Sequence, residues 1–170
     1  MANNELLRMW FDSVDVDRSG SINCEELQRA LAVGNLHFPS SVVNQMIKLY
    51  DTDLNGTMSF NEFISLHQFL TVVQDSFQAN LRNREQLSLN EVYNALTQAG
   101  FSLDQPAFYC ACQSFDKERR GHFRLDNYMS LCIFLKSARN LFTSFDTSRA
   151  GAVTLDFNQF VYCGAKAVIL

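Results

Sequence analysis

The sequence predicts an all-α fold: eight helices forming five helix–loop–helix units within one domain, 1–170. Three observations predict it. A twelve-residue pattern recurs five times, starting at Asp15, Asp51, Asn80, Asp116 and Asp146. Its eighth position is apolar in every copy (Ile22, Met58, Leu87, Phe123, Val153), as are its tenth (Cys24, Phe60, Leu89, Leu125, Leu155) and sixteenth (Ala30, Leu66, Ala95, Leu131, Val161). Apolar residues at fixed offsets in successive copies are the signature of an internal repeat. The copies start 36, 29, 36 and 30 residues apart, and only the long gaps contain helix breakers.

The elements follow in chain order. A helix over roughly 4–14 leads into the first loop, and one over 24–33 leaves it. Gly34 ends that helix and Pro39 begins the next, 40–50, which leads into the second loop. FISLHQFLTVVQDSFQA, between Glu62 and Asn80, has neither Gly nor Pro, so 60–79 is one helix shared by the second and third loops. Gly100 and Pro106 divide the next gap into helices 89–99 and 105–115. YMSLCIFLKSARNLFTSF is again unbroken, giving a shared helix 125–145, and 155–166 leaves the fifth loop.

DVDRSGSINCEE, residues 15–26, places acids at its first, third and last positions and Gly20 at its sixth. Calcium takes about six to eight oxygens, and a twelve-residue loop wraps it with side chains at positions 1, 3, 5, 9 and 12 and a carbonyl at 7. The sixth residue turns with positive φ, which glycine does without steric cost. The predicted ligands are Asp15, Asp17, Ser19, the Ser21 carbonyl, Asn23 (directly or through a water) and Glu26. DTDLNGTMSFNE repeats them as Asp51, Asp53, Asn55, the Thr57 carbonyl, Ser59 and Glu62, and satisfies D-x-[DN]-x-[DN]-G-x5-E in full. The first loop departs only by Ser19. Three carboxylates against a divalent ion suggest an affinity of roughly 10⁻⁷ to 10⁻⁵ M, with magnesium a poor competitor. The last Glu sits on the exiting helix, so ion capture pulls that helix inward.

The other three copies keep the apolar frame and lose the ligands. Asn80, Arg82 and Arg84 replace acids in the third, and Glu85 replaces the Gly. The fourth retains Asp116, Glu118 and Gly121, but Arg120 and Arg124 fill positions five and nine and Asn127 replaces the closing Glu. Ala150 and Phe157 fill positions five and twelve of the fifth. Cationic side chains at ligand positions repel the ion.

Composition excludes several classes. Net charge is −4 and the basic residues form no long run; Arg82/Arg84 and Lys117/Arg119/Arg120 are short and lack stacking aromatics, so no nucleic-acid surface is expected. MANNELLRMWF has no basic and apolar leader pattern, and no eighteen-residue apolar run follows, so a cytoplasmic location is expected. Five cysteines, Cys24, Cys110, Cys112, Cys132 and Cys163, are odd in number and fit a reduced compartment better than a disulfide framework or zinc site. His37, His67 and His122 are scattered and neither Cys24 nor Cys163 belongs to a catalytic motif, so no enzyme is expected.

With five hands over nearly the whole chain and shared helices after the second and fourth, the sequence resembles the penta-EF-hand family. Asp15 at position one of the first loop makes it most similar to the programmed cell death protein 6 (apoptosis-linked) group. That group keeps calcium ligands in its third hand, which this chain replaces with Asn80, Arg82, Arg84 and Glu85. The resemblance implies Pro-rich or hydrophobic partner segments and calcium-dependent association with membranes. EF-hand loops pair through a short antiparallel bridge at position eight, so the first hand pairs with the second and the third with the fourth. The fifth is left with Val153 and VYCGAKAVIL uncovered, and self-pairing into a homodimer, or a heterodimer with a related protein, would cover both. The expected function is a calcium sensor and adaptor exposing an apolar cleft; the alternatives are a regulatory subunit of a calpain-like enzyme and a calcium buffer. Phe60, Phe63, Phe69 and Phe77, at helical spacing, fit core positions better than a cleft lining.

Overall fold

The computed structural model describes residues 2–82, 84–116 and 119–167. Lys117 and Glu118 of the fourth loop, and 168–170 of the apolar end, lie outside these residues. Eight helices are present among the described residues: α1 Ala2–Val14, α2 Cys24–Val33, α3 Ser40–Tyr50, α4 Phe60–Asn80, α5 Leu89–Gln98, α6 Gln105–Phe115, α7 Leu125–Phe145 and α8 Phe157–Ala167. Two two-residue strands, β1 Leu87–Ser88 and β2 His122–Phe123, complete the set.

The helix ends come from local hydrogen bonding. After α2 the left-handed residue is Asn35 (φ 61°), not Gly34, whose φ is −78°. Asn35 N–H bonds the Ala32 carbonyl and Leu36 N–H the Leu31 carbonyl, closing the helix with a residue that tolerates this conformation. After α5, Gly100 (φ 86°) does the same with Phe101 N–H on the Leu96 carbonyl. α8 begins at Phe157, two residues later than the repeat suggests. Asp156 N–H donates to the Gln159 side chain and Gln159 N–H to the Asp156 carboxylate, a reciprocal cap that outcompetes a start nearer Thr154.

Loop pairing is as expected. Ile22 and Met58 exchange N–H···O bonds of 2.8 and 2.9 Å, while β1 and β2 run antiparallel with Leu87 opposite Phe123 and Ser88 opposite His122. These four position-eight side chains are wholly buried, whereas Val153 is not. α4 joins the halves: Phe77 lies 5.5 Å from the Tyr128 ring on α7, and the Ser76 and Tyr128 hydroxyls share a buried 2.8 Å bond. On the same helix, Ser137 accepts a 2.7 Å bond from the Gln45 side chain of α3. Phe63 and Phe77 are core residues, and Phe60 and Phe69 pack against it, as helical spacing implied. α8 is the exception, with no buried residue: Phe157, Phe160, Val161 and Tyr162 are all exposed. Among the described residues no helix is long and apolar enough to cross a membrane.

Candidate metal centres

The first loop begins where α1 ends. Asp15, 7% exposed, accepts N–H bonds from Ser19 (2.9 Å) and Gly20 (2.8 Å), which curl the loop around its carboxylate. Asp17 accepts the same Ser19 N–H at 3.0 Å, and the Ser19 hydroxyl donates to the Ser21 carbonyl at 2.9 Å. Bonds from Ser19, side chain first and then backbone, hold the Asp17 carboxyl below its ordinary value. Asn23 is the N-cap of α2: its side chain accepts from Glu26 N–H while its own N–H donates back to Glu26 Oε2 at 3.0 Å. Glu26 Oε1 receives Val16 N–H at 2.9 Å, so this buried carboxylate spans both ends of the loop.

The second loop repeats this arrangement. Asp51 accepts from Asn55 N–H (3.1 Å) and Gly56 N–H (2.9 Å). The Asn55 side chain bonds Asp53 and also accepts the Thr57 N–H and hydroxyl. Glu62 is held by four donors, the N–H and hydroxyl of Thr52 and of Ser59, at 2.7 to 2.8 Å. Burial works to raise its carboxyl, but these bonds outweigh it and bring the pKa down to about 2.

Ligand oxygens of Asp15, Asp17 and Glu26 lie within 4.8 Å of one another, as do those of Asp51, Asp53 and Glu62. Oxygens on opposite sides of a calcium ion at 2.3–2.6 Å are at most about 5 Å apart, so both trios suit that ion. Ser19, Ser21, Asn55 and Thr57 belong to the same hydrogen-bonded loops, whereas Asn23 and Ser59 serve first as helix caps facing the closing Glu.

Comparison with known proteins agrees with this geometry. Residues 4–68 match the family described as "EF-hand domain pair". The chain is 33% identical over 154 residues to "Penta-EF hand domain-containing protein 2" of Dictyostelium discoideum, covering 90% of this chain and 74% of that protein. It is 35% identical over 167 residues to "Sorcin" of Schistosoma japonicum, with 96% of each covered. The chain belongs to the penta-EF-hand family. Among solved structures, the homolog of programmed cell death 6 protein from Leishmania major Friedlin superposes with a TM-score of 0.69 at 32% identity, covering 95% of this chain and 94% of that one.

As a penta-EF-hand protein it binds calcium. The ion itself supplies only charge and a preferred oxygen shell; the chain supplies the folded loops. The fourth and fifth loops are folded by the same local bonds without the full set of oxygen-bearing side chains. Asp116 accepts from Arg120 N–H and Gly121 N–H, and Asp146 from Ala150 N–H and Gly151 N–H, so a position-one Asp shapes the turn whatever the rest of the loop contains. Asn127, in place of the closing Glu, donates to the Phe115 carbonyl. Two features of these loops escaped sequence reading. Position four also takes positive φ (Arg18 57°, Leu54 59°, Arg119 51°, Arg149 56°), at about 1 kcal/mol for a residue with a Cβ. Nothing in Arg or Leu signals that conformation. The other is the N–H of position two, which becomes a partner of the closing Glu in both candidate sites.

Proposed function

We propose that this chain is a cytoplasmic calcium sensor and adaptor without catalytic activity of its own, loading calcium at Asp15, Asp17, Ser19, Ser21, Asn23 and Glu26 and at Asp51, Asp53, Asn55, Thr57, Ser59 and Glu62. One observation carries it: Glu26, the closing carboxylate of the first loop, also lines a cleft of about 200 Å³ with Trp10, Val14, Val16, Ala30 and Val33. A carboxylate that swings toward an ion therefore moves one wall of an apolar surface. Trp10 stands edge-on to Phe63 at 5.1 Å and to His67 at 5.5 Å, so it reports that movement. Partners are hydrophobic or Pro-rich protein segments, with calcium-dependent membrane association following when apolar surface opens. Free cysteines throughout the described residues favour the reducing cytoplasm.

The five hands make up one domain, since α3 and α4 both pack on α7, the helix that the fourth and fifth hands share. Dimerisation through the fifth hand is supported by the exposed row Phe157, Phe160, Val161 and Tyr162. A homodimer is the simplest closure, and a related chain presenting the same surface is the competitor.

Calorimetry tests the sites. Wild type should bind two calcium ions in the micromolar range, Glu26→Gln or Glu62→Gln one, and the double variant none. Two ions retained by the double variant would refute the assignment. A rise in apolar-dye binding together with a change in Trp10 fluorescence separates a sensor from a buffer, which should produce neither. Stoichiometric co-purification with a large catalytic chain would favour the regulatory-subunit alternative.

A further inference from the structure

The third loop contains a cation of its own. In the first two loops the closing carboxylate takes N–H groups from positions two and nine: Val16 and Asn23 on Glu26, Thr52 and Ser59 on Glu62. Glu91, the third loop's closing residue, keeps the position-nine half, with Ser88 N–H at 2.8 Å and the Ser88 hydroxyl at 2.7 Å on Oε2. Its Oε1 is bonded instead by the guanidinium of Arg84, from position five. The Glu91 side chain is only 12% exposed, while that of Arg84 is 51% exposed, so a half-solvated arginine pairs with a largely covered carboxylate. Arg82, at position three, adds a second positive charge near Glu91. Both arginines thus occupy positions whose counterparts, Asp17 and Ser19 or Asp53 and Asn55, are proposed calcium ligands. The strand pairing beside this loop is also the longer of the two: Leu87–Phe123 and Ser88–His122, against the single Ile22–Met58 bridge.

We propose that the Arg84 guanidinium is a tethered replacement for the divalent ion, spanning the third loop from position five to Glu91 on α5 and keeping the third and fourth hands closed whether or not calcium is present. The physical basis is intramolecular: a covalently attached cation has no dissociation into bulk solvent to overcome, so its occupancy does not follow an ion concentration. A planar fork also makes directional bonds to a carboxylate, as calcium does not. Calcium response is then confined to the first pair of hands, and the second pair is a fixed platform on which α4 and α7 rest. The inference rests on the third loop lying outside the calcium set. Ile22 and Met58 report separately on the first pair, so failure of this idea is distinguishable from failure of the sensor reading.

The test is amide hydrogen exchange by NMR on the full chain, stripped of calcium and then with calcium added. In wild type, protection at Leu87 and Phe123 should be unchanged by calcium, while protection at Ile22 and Met58 rises. Arg84→Gln should speed exchange at Leu87 and Phe123 by about fivefold, the upper range for an exposed ion pair, and leave Ile22 and Met58 as in wild type. Arg84→Lys, which keeps the charge, should recover part of that loss. The proposal is overturned by wild-type protection at Leu87 and Phe123 that needs calcium, by Arg84→Gln exchanging as slowly as wild type, or by Arg84→Lys no better than Arg84→Gln. Should Arg84→Gln not fold, the wild-type comparison with and without calcium decides alone.

Discussion

Replacing Glu62 by Gln in the calcium-free protein isolates what the closing carboxylate contributes to its own loop. Glu62 is 6% exposed and accepts four bonds from Thr52 and Ser59, which hold its pKa at about 2 against an ordinary 4.5. A carboxyl depressed in the folded state stabilises fully above the unfolded value and loses that contribution as pH falls through the folded one. The window is therefore pH 4.5 down to about 2. At 1.36 kcal/mol per pKa unit the linkage is roughly 3 kcal/mol, and solvent screening in a loop whose Thr52, Asp53 and Asn55 are exposed reduces it to about 1–2 kcal/mol. For a chain of this size that is a melting-temperature difference of about 2–8 °C. Thermal unfolding of calcium-stripped wild type and Glu62→Gln should show the difference at pH 6 and near convergence at pH 2. A gap that persists undiminished at pH 2, or no gap at pH 6, would refute the linkage argument.

Other substitutions test other parts of the fold. Gly56→Ala should lower the stability of calcium-free protein by about 1 kcal/mol in urea unfolding, a purely conformational effect, since φ is +78° and a Cβ there meets nothing within 4 Å. Leu131 and Val161 occupy the same repeat position, yet Leu131 is fully buried and Val161 is 50% exposed. Leu131→Ala should therefore cost about 2–5 kcal/mol, whereas Val161→Ala should stay within about 0.5 kcal/mol in the monomer and weaken self-association in sedimentation instead. Tyr128→Phe removes the hydroxyl bonded to Ser76, but Ser76 keeps its bond to the Val73 carbonyl. The expected loss is about 1 kcal/mol by denaturant unfolding, well below that of Leu131→Ala.

What the sequence by itself determined is whatever depends on residues close together in the chain. Gly at position six, Asp at position one and the closing Glu lie within twelve residues, so the two acidic loops and the clustering of their carboxylates are legible directly. The apolar side chain at position eight marks the pairing edge of each loop, and order along the chain assigns the first to the second and the third to the fourth. The shared helices α4 and α7 follow from unbroken sequence between loops. The tertiary structure decided matters in which several local solutions compete. Asn35 rather than Gly34 takes the left-handed turn, and the Asp156–Gln159 cap rather than the repeat frame sets the start of α8. Three-dimensional packing also brought Arg84 to Glu91 across seven residues. The physical reason is that turn chemistry is short-range and written in residue type, whereas burial and charge pairing depend on which surfaces the folded chain presents to one another.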